Sequence, residues 1–118
     1  MGRKNVVLSY PMVDATSMAA SFNSPAPYTN TINLDSGSIY VSWTGTSPIG
    51  EISVQARNGD NEPWYTLDFN TTMPVTGNSG DMQIVFSEMP FTSIRLVYTR
   101  TSGTGTMDAV ISAKTEGA

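Results

Sequence analysis

The stretch that decides the fold is residues 91–114, which read FTSIRLVYTRTSGTGTMDAVISAK. Every second residue from Ile94 to Tyr98 is large and apolar, and every second residue from Met107 to Ala113 is apolar as well. A period of two is typical of strands with one buried face, and glycines between two such runs suit a turn. The pattern predicts a terminal β-hairpin with its turn at residues 101–105, and it indicates a β protein.

Working outward, the same alternation recurs along the chain. It is clearest at residues 51–57, where Ile52, Val54 and Ala56 take one face and polar side chains, among them Arg57, take the other. Turn-forming residues cluster between the alternating runs, most densely at 58–63. Strands are therefore expected at residues 5–10 (ended by Pro11), 28–34, 38–44, 51–57, 64–69, 82–87 and in the terminal hairpin, with a further short one within 71–75.

Short strands at roughly ten-residue spacing are typical of β-sandwiches and small barrels. We expect an all-β protein, an antiparallel β-sandwich of jelly-roll or related Greek-key type with about eight to ten short strands. Residues 1–118 are expected to form one domain, with 1–11 as an N-terminal arm or an edge strand. As an arm, residues 1–11 would order against a neighbouring subunit, and their deletion would weaken assembly without unfolding the sandwich.

Composition excludes several function classes. The chain has no cysteine and no histidine, so disulfides, thiol catalysis, cysteine-ligated zinc and serine–histidine catalysis are all ruled out. Only 14% of residues are charged, the net charge is −4, and the six basic residues are scattered. Nucleic-acid binding normally needs a basic patch, so no nucleic-acid partner is expected. Neither a membrane partner nor a cofactor is expected, and we expect no enzymatic activity.

No segment has the pattern of a signal peptide, because Val6 to Leu8 is too short an apolar run, and no stretch has the length of a membrane span. The expectation is synthesis and folding in a cytosol, which need not be where the protein ends up.

Aromatic side chains provide the candidate contact residues. Trp43 shares a face with Ile39 and Val41, so it is expected in the core, whereas Trp64 shares a face with polar residues. Trp64, Tyr40 and Arg57 are the residues expected to contact either a subunit or a glycan. An aromatic sugar platform would combine Trp43, Trp64, Tyr40 and Tyr65.

Acidic residues give weaker hypotheses. The Asn and Asp cluster at 58–62 has the oxygen ligands that calcium prefers, but the same residues are expected in a turn for backbone reasons. Asp81, Glu88 and Asp108 are a second candidate set for such a cation site, although no spacing in the sequence brings them together. Paired carboxylates could also support glycoside hydrolysis, but the ten acidic residues allow many pairs and the sequence indicates no particular one.

Two stretches resemble a known group. The run from Phe91 to Lys114 resembles the closing hairpin of small β-sandwich virion proteins of tailed bacteriophages. Residues 52–57 with 64–69 are similar to the middle hairpin of the same kind of domain, and also to that of discoidin-like and carbohydrate-binding jelly rolls. Together they cover 36 of the 118 residues.

The resemblance implies a non-enzymatic structural protein of the virion: a capsid decoration or cement protein, or a tail or neck accessory. Such a protein would act by assembling as a homo-dimer or homo-trimer and with other virion proteins. The alternative is a carbohydrate-binding module that recognises the host surface.

Overall fold

The computed structural model describes residues 5–24, 36–59, 61–69, 72–86 and 93–116. The strand expected at 28–34 lies outside these residues. Within them there is no helix that has the length and apolar character needed to cross a membrane.

The described residues form an antiparallel arrangement of seven strands. They are β1 (Asn5–Ser17), β2 (Phe22–Asn23), β3 (Ser36–Arg57), β4 (Tyr65–Thr66), β5 (Pro74–Val75), β6 (Ser79–Phe86) and β7 (Ser93–Glu116). The expected all-β, antiparallel class is confirmed. In the described residues, two of the seven strands are much longer than the short strands expected.

The predicted terminal hairpin is wrong. Residues 93–116 form a single strand, β7, and the glycine-containing run at 101–105 lies inside it rather than in a turn. The strands expected at 38–44 and 51–57 are likewise joined into one strand, β3. The alternation was interpreted correctly, but each glycine-containing interruption is a bend in a continuing strand, because β3 and β7 pair with each other along their whole length.

Both long strands bend. β3 has 22 residues, and at about 3.3 Å per residue a straight strand of that length would span roughly 70 Å. The longest dimension of the molecule is only 52 Å. The β3–β7 register shifts between Thr46 and Ile49 and again between Ile49 and Gly50, so the bend lies at this point. Bulged strands that turn a corner and continue into a second layer are a known way of building sandwiches.

The bend folds the sheet into two layers. The first layer has the order β1–β7–β3–β6 and uses the N-terminal half of β3. The second layer places β2, β4 and β5 beside the other halves of β7 and β3. Pro74 pairs with Glu51, and Ile84 pairs with Ile39. Glu51 and Ile39 would be about 40 Å apart if β3 were straight. Pro74 and Ile84 nevertheless line the same pocket, so the layers face each other.

One hydrophobic core lies between the layers. The core residues that β3 and β7 contribute occupy odd positions in the first layer and even positions in the second, since the register shifts at the bend change the parity. They are Ile39, Val41, Trp43, Met107, Ala109 and Ile111 in the first layer, and Ile52, Val54, Ala56, Ile94, Leu96 and Tyr98 in the second. The expected burial of Trp43 is confirmed at 6% exposure.

The corner requires close approach of the two backbones. Gly103 has a φ of 81°, and a Cβ there would overlap the carbonyl oxygen of Ser47 and lie 2.7 Å from the Cα of Pro48. Asn78 fastens the corner from outside: its side-chain oxygen accepts a hydrogen bond from the Ser47 amide at 2.9 Å, and its carbonyl accepts one from the Gly45 amide at 2.8 Å. The glycines in this run therefore permit a close approach of the β3 and β7 backbones that side chains would prevent.

The sequence suggested that the first strand ends at Pro11, and this prediction is wrong. β1 continues to Ser17 with register shifts after Pro11 and after Val13. β1 is an edge strand in the described part of the chain, and a proline is tolerated there because its missing N–H is not needed by a second neighbour. Since residues 5–11 pair with β7, deleting 1–11 would remove part of the sheet rather than a separate arm.

We predict that Gly103→Ala destabilises the protein by more than Gly77→Ala does. Both glycines have a φ of 81°, but a Cβ at Gly77 would only make an ordinary contact, 3.6 Å from the carbonyl oxygen of Ser79. The variant at 77 should therefore lose about 1 kcal/mol for the backbone conformation alone, and the variant at 103 about 3 kcal/mol or more. Urea denaturation measures the free energy of unfolding of both variants. Equal losses would contradict the close approach of the two backbones at Gly103.

Candidate functional site

The structure brings two of the three expected contact residues together. Arg57, the last residue of β3, and Trp64, which precedes β4, lie on the outer face of the second layer. Tyr40 lies in the other half of β3, on the outer face of the first layer. Tyr40 is therefore not part of the same site.

Trp64 is the centre of a cationic and aromatic cluster. The guanidinium carbon of Arg57 lies 4.5 Å from the centre of the indole ring, and that of Arg95 lies 4.3 Å from it. Guanidinium groups at this distance are attracted by the negative face of the ring. We call Arg57, Trp64 and Arg95, together with Gln55, the Arg–Trp cluster.

Strand register explains how the cluster forms. Gln55 and Arg57 point to the same face of β3 because they are two positions apart. Arg95 is the direct partner of Gln55 on β7, and the β3–β4 pairing at Ala56 and Tyr65 places Trp64 beside Arg57. Sequence reasoning did not identify Arg95, since its place beside Gln55 becomes visible only once the β3–β7 register is known.

Gln55 fixes the position of Arg95. Its side-chain oxygen accepts hydrogen bonds from Nε and Nη2 of Arg95 at 2.9 and 2.6 Å, and its amide nitrogen donates to the Thr66 hydroxyl at 3.4 Å. The pKa of Arg95 lies below its ordinary value, because partial burial disfavours the charge and because Arg57 is also positive. The cluster thus holds two cations close together on a chain whose net charge is −4.

The expected aromatic sugar platform is not assembled. Trp43 is buried, and the ring of Trp64 is half-buried with two guanidinium groups over it. A sugar stacks on free aromatic surface, and Arg57 and Arg95 already use part of it. Tyr65 is exposed beside the cluster, but Tyr40 is in the other layer.

The outer face of the first layer has a different character. Tyr40 pairs with Val110 on one side and Gln83 on the other, and Val85 lies on the same face two residues beyond Gln83. Val85, Tyr40 and Val110 are 69%, 46% and 41% exposed. The Tyr40 hydroxyl donates to Asp81 at 2.8 Å, which raises the pKa of Tyr40 above its ordinary value. This face presents apolar surface on the outer side of the first layer, whereas the Arg–Trp cluster lies on the outer side of the second.

The carboxylate hypotheses gain little from the structure. Asp81 and Asp108 lie on either side of Ser42, about 10 Å apart across two strand spacings, and each accepts a hydrogen bond, from the Tyr40 hydroxyl and from the Ala15 amide. Glu88 and Asp60 lie outside the described residues. Within the described ranges, no three His, Cys, Asp or Glu side chains are grouped so that they could hold a metal ion.

An apolar cleft opens between the two layers at the β5–β6 side. It has a volume of about 400 Å³. Phe69, Met73 and Pro74 line it from the second layer, and Met82 and Ile84 line it from the first. Three of these side chains, Phe69, Met73 and Met82, are only partly buried although they pack against the core. The edge of the core is therefore open to solvent at this cleft.

Known proteins match this chain in fold but not in sequence. No protein-family model matches the sequence, and no curated protein matches it significantly. The described arrangement is that of a two-layered, all-β domain. Its fold is similar to the crystal structure of the SPBc2 prophage-derived protein YomS, with a TM-score of 0.56 and 12% identity, over 92% of this chain and 95% of that one.

Two further structures align over most of the chain with lower scores. One is from Bacillus endospore appendages, described as disulfide-linked pili, with a TM-score of 0.35, 16% identity and coverage of 97% and 88%. The other is FlhE, with a TM-score of 0.34, 15% identity and 98% coverage of both chains. Similarity at this level carries no argument about this chain.

We predict that Trp64→Ala lowers the free energy of unfolding by about 1 to 2 kcal/mol, because it removes the ring that both guanidinium groups contact. Tyr65→Ala is the matched control, since Tyr65 is the neighbouring residue and is 43% exposed. Urea denaturation should show a smaller loss for the control. If Trp64→Ala unfolds at the wild-type midpoint, the ring has no structural role and is free for a glycan or subunit.

Proposed function

We propose that this protein is a non-enzymatic structural component of a bacteriophage or prophage particle. It acts by assembling with copies of itself, as a homo-dimer or homo-trimer, and with other virion proteins. A capsid decoration or cement position, or a tail or neck accessory position, suits a small domain of this kind. The protein would be made in the host cytoplasm and reside in the virion.

The observation that carries the proposal is the similarity in fold to the prophage-derived protein YomS over nearly the full length of both chains. The surface is consistent with assembly. Val85, Tyr40 and Val110 expose apolar surface on one face, and the cleft beside β6 leaves the edge of the core uncovered. Exposed apolar surface of this kind marks contact sites between proteins.

The side-chain chemistry also supports a non-enzymatic role. The chain has neither histidine nor cysteine, and the Arg–Trp cluster offers cations and an aromatic ring without a nucleophile or a general base. Such a cluster can hold a carboxylate-bearing neighbour by charge-assisted hydrogen bonds. The carbohydrate-binding alternative gains no specific support, since Arg57 and Arg95 already contact the ring that a sugar would need.

We predict that static light scattering over a concentration series gives the mass of a dimer or trimer rather than that of the 12.7 kDa chain. The second arm of the test is mass spectrometry of purified phage particles from a strain that encodes the protein. Detection in intact particles at a stoichiometry of many copies would support the proposal. Particles that lack the protein would overturn it, whatever the oligomeric state.

A further inference from the structure

Among the described residues, the outer edge of β6 has no strand beside it. β6 hydrogen-bonds to β3 on one side, and no strand in the described part of the chain pairs with its other side. The backbone N–H and C=O groups along that edge are strong hydrogen-bonding groups that need a partner or water. A free edge of this kind is a template for a strand from another chain.

The two edge strands of the first layer differ in the features that prevent pairing with a further strand. β1, at one edge, contains Pro11 and two register shifts, which are features that prevent a further strand from pairing. β6, at the other edge, runs in unbroken register from Gly37–Phe86 to Thr44–Ser79. Its sequence, SGDMQIVF, has no proline, lysine or arginine. β1 thus carries features that prevent pairing, whereas the residues of β6 itself carry none of them.

The apolar cleft adjoins the outer edge of β6. Met82 and Ile84 of β6 form one of its walls, and Val85, the most exposed of the described large apolar side chains, also lines it. A strand placed alongside β6 would cover the cleft as well as the edge. Pairing and burial of apolar surface would then occur in a single contact.

We propose that β6 pairs with β6 of a second copy, antiparallel about a two-fold axis at Gln83. An antiparallel edge strand is complementary to itself under such an axis, so a second copy satisfies both edges and closes both clefts at once. The result is a continuous sheet of the order β1–β7–β3–β6–β6–β3–β7–β1 across the dimer. This inference rests on the proposed self-assembly and names its contact.

The choice of Gln83 as centre follows from the side chains. Residues that face each other across paired strands must point to the same side of the sheet, which restricts the register to alternate positions. With Gln83 at the axis, Met82 of one copy lies opposite Ile84 of the other on the cleft side. Asp81, the one charged residue of β6, lies opposite Val85 and not opposite its own symmetry mate.

Single-cysteine variants test the contact cleanly, because the natural chain has no cysteine. Under mild oxidation at micromolar concentration, Gln83→Cys should form a disulfide-linked dimer in more than half of the chains, since facing residues in paired strands are close enough for a disulfide. Val110→Cys is the matched control: it is exposed on the same face, with only Tyr40 of β3 between it and Gln83. Equal cross-linking of the two variants would overturn the proposal.

A second variant guards against adventitious oxidation. Gln83→Lys places two positive charges opposite each other at the axis. Because residue 83 is exposed in the monomer, the lysine should not disturb the fold of a single copy. Light scattering should show at least a tenfold weaker dimer than the wild type, with unchanged circular dichroism. An oligomer that is unaffected by Gln83→Lys overturns pairing through β6 while leaving the proposed function standing. Conversely, absence from phage particles overturns the proposed function without touching a dimer that cross-links at 83.

Discussion

The pairing of β3 with β7, bent once at a glycine-rich corner, is the constraint on which the rest of the structure depends. These two strands run side by side over almost their whole length, and both layers of the sandwich are built on them. The remaining strands are shorter and attach to one half or the other. Gly103, with its φ of 81° and no room for a Cβ, allows the two backbones to approach closely where the sheet turns. With no disulfide available, the core between the two layers must supply most of the stability.

The same bend distributes the functional surfaces. It places the Arg–Trp cluster on the outer face of one layer and the exposed residues Tyr40 and Val110 on the outer face of the other. It also brings the β5 side of one layer over β6 of the other, which creates the apolar cleft next to the outer edge of β6. The surfaces proposed for contact with neighbouring subunits are therefore a consequence of how the sheet folds.

Sequence patterns predicted the class of fold and the inward faces, because a period of two depends only on which residues are buried. Ile52, Val54 and Ala56 are buried as their alternation indicates, and so are Ile94, Leu96 and Tyr98. The prediction of a hairpin at 101–105 was wrong because glycine permits a tight turn and a close approach of two strands equally well. Arg95 could not be placed beside Trp64, since that contact joins residues 31 positions apart through a register that only long-range pairing defines. The asymmetry between β1 and β6 likewise follows from strand order.

The most direct test of the folded sheet is a distance measured across the cleft. Spin labels on cysteines introduced at Thr72 and Gln83, both exposed residues that line the cleft, report it by double electron–electron resonance. Dilution with unlabelled protein removes distances between copies. The folded arrangement predicts a distribution centred below about 20 Å, half of the roughly 40 Å that the eleven residues from 72 to 83 could span if fully extended. A distribution centred above about 30 Å would show that β3 and β7 do not bend into two layers, and would contradict the account.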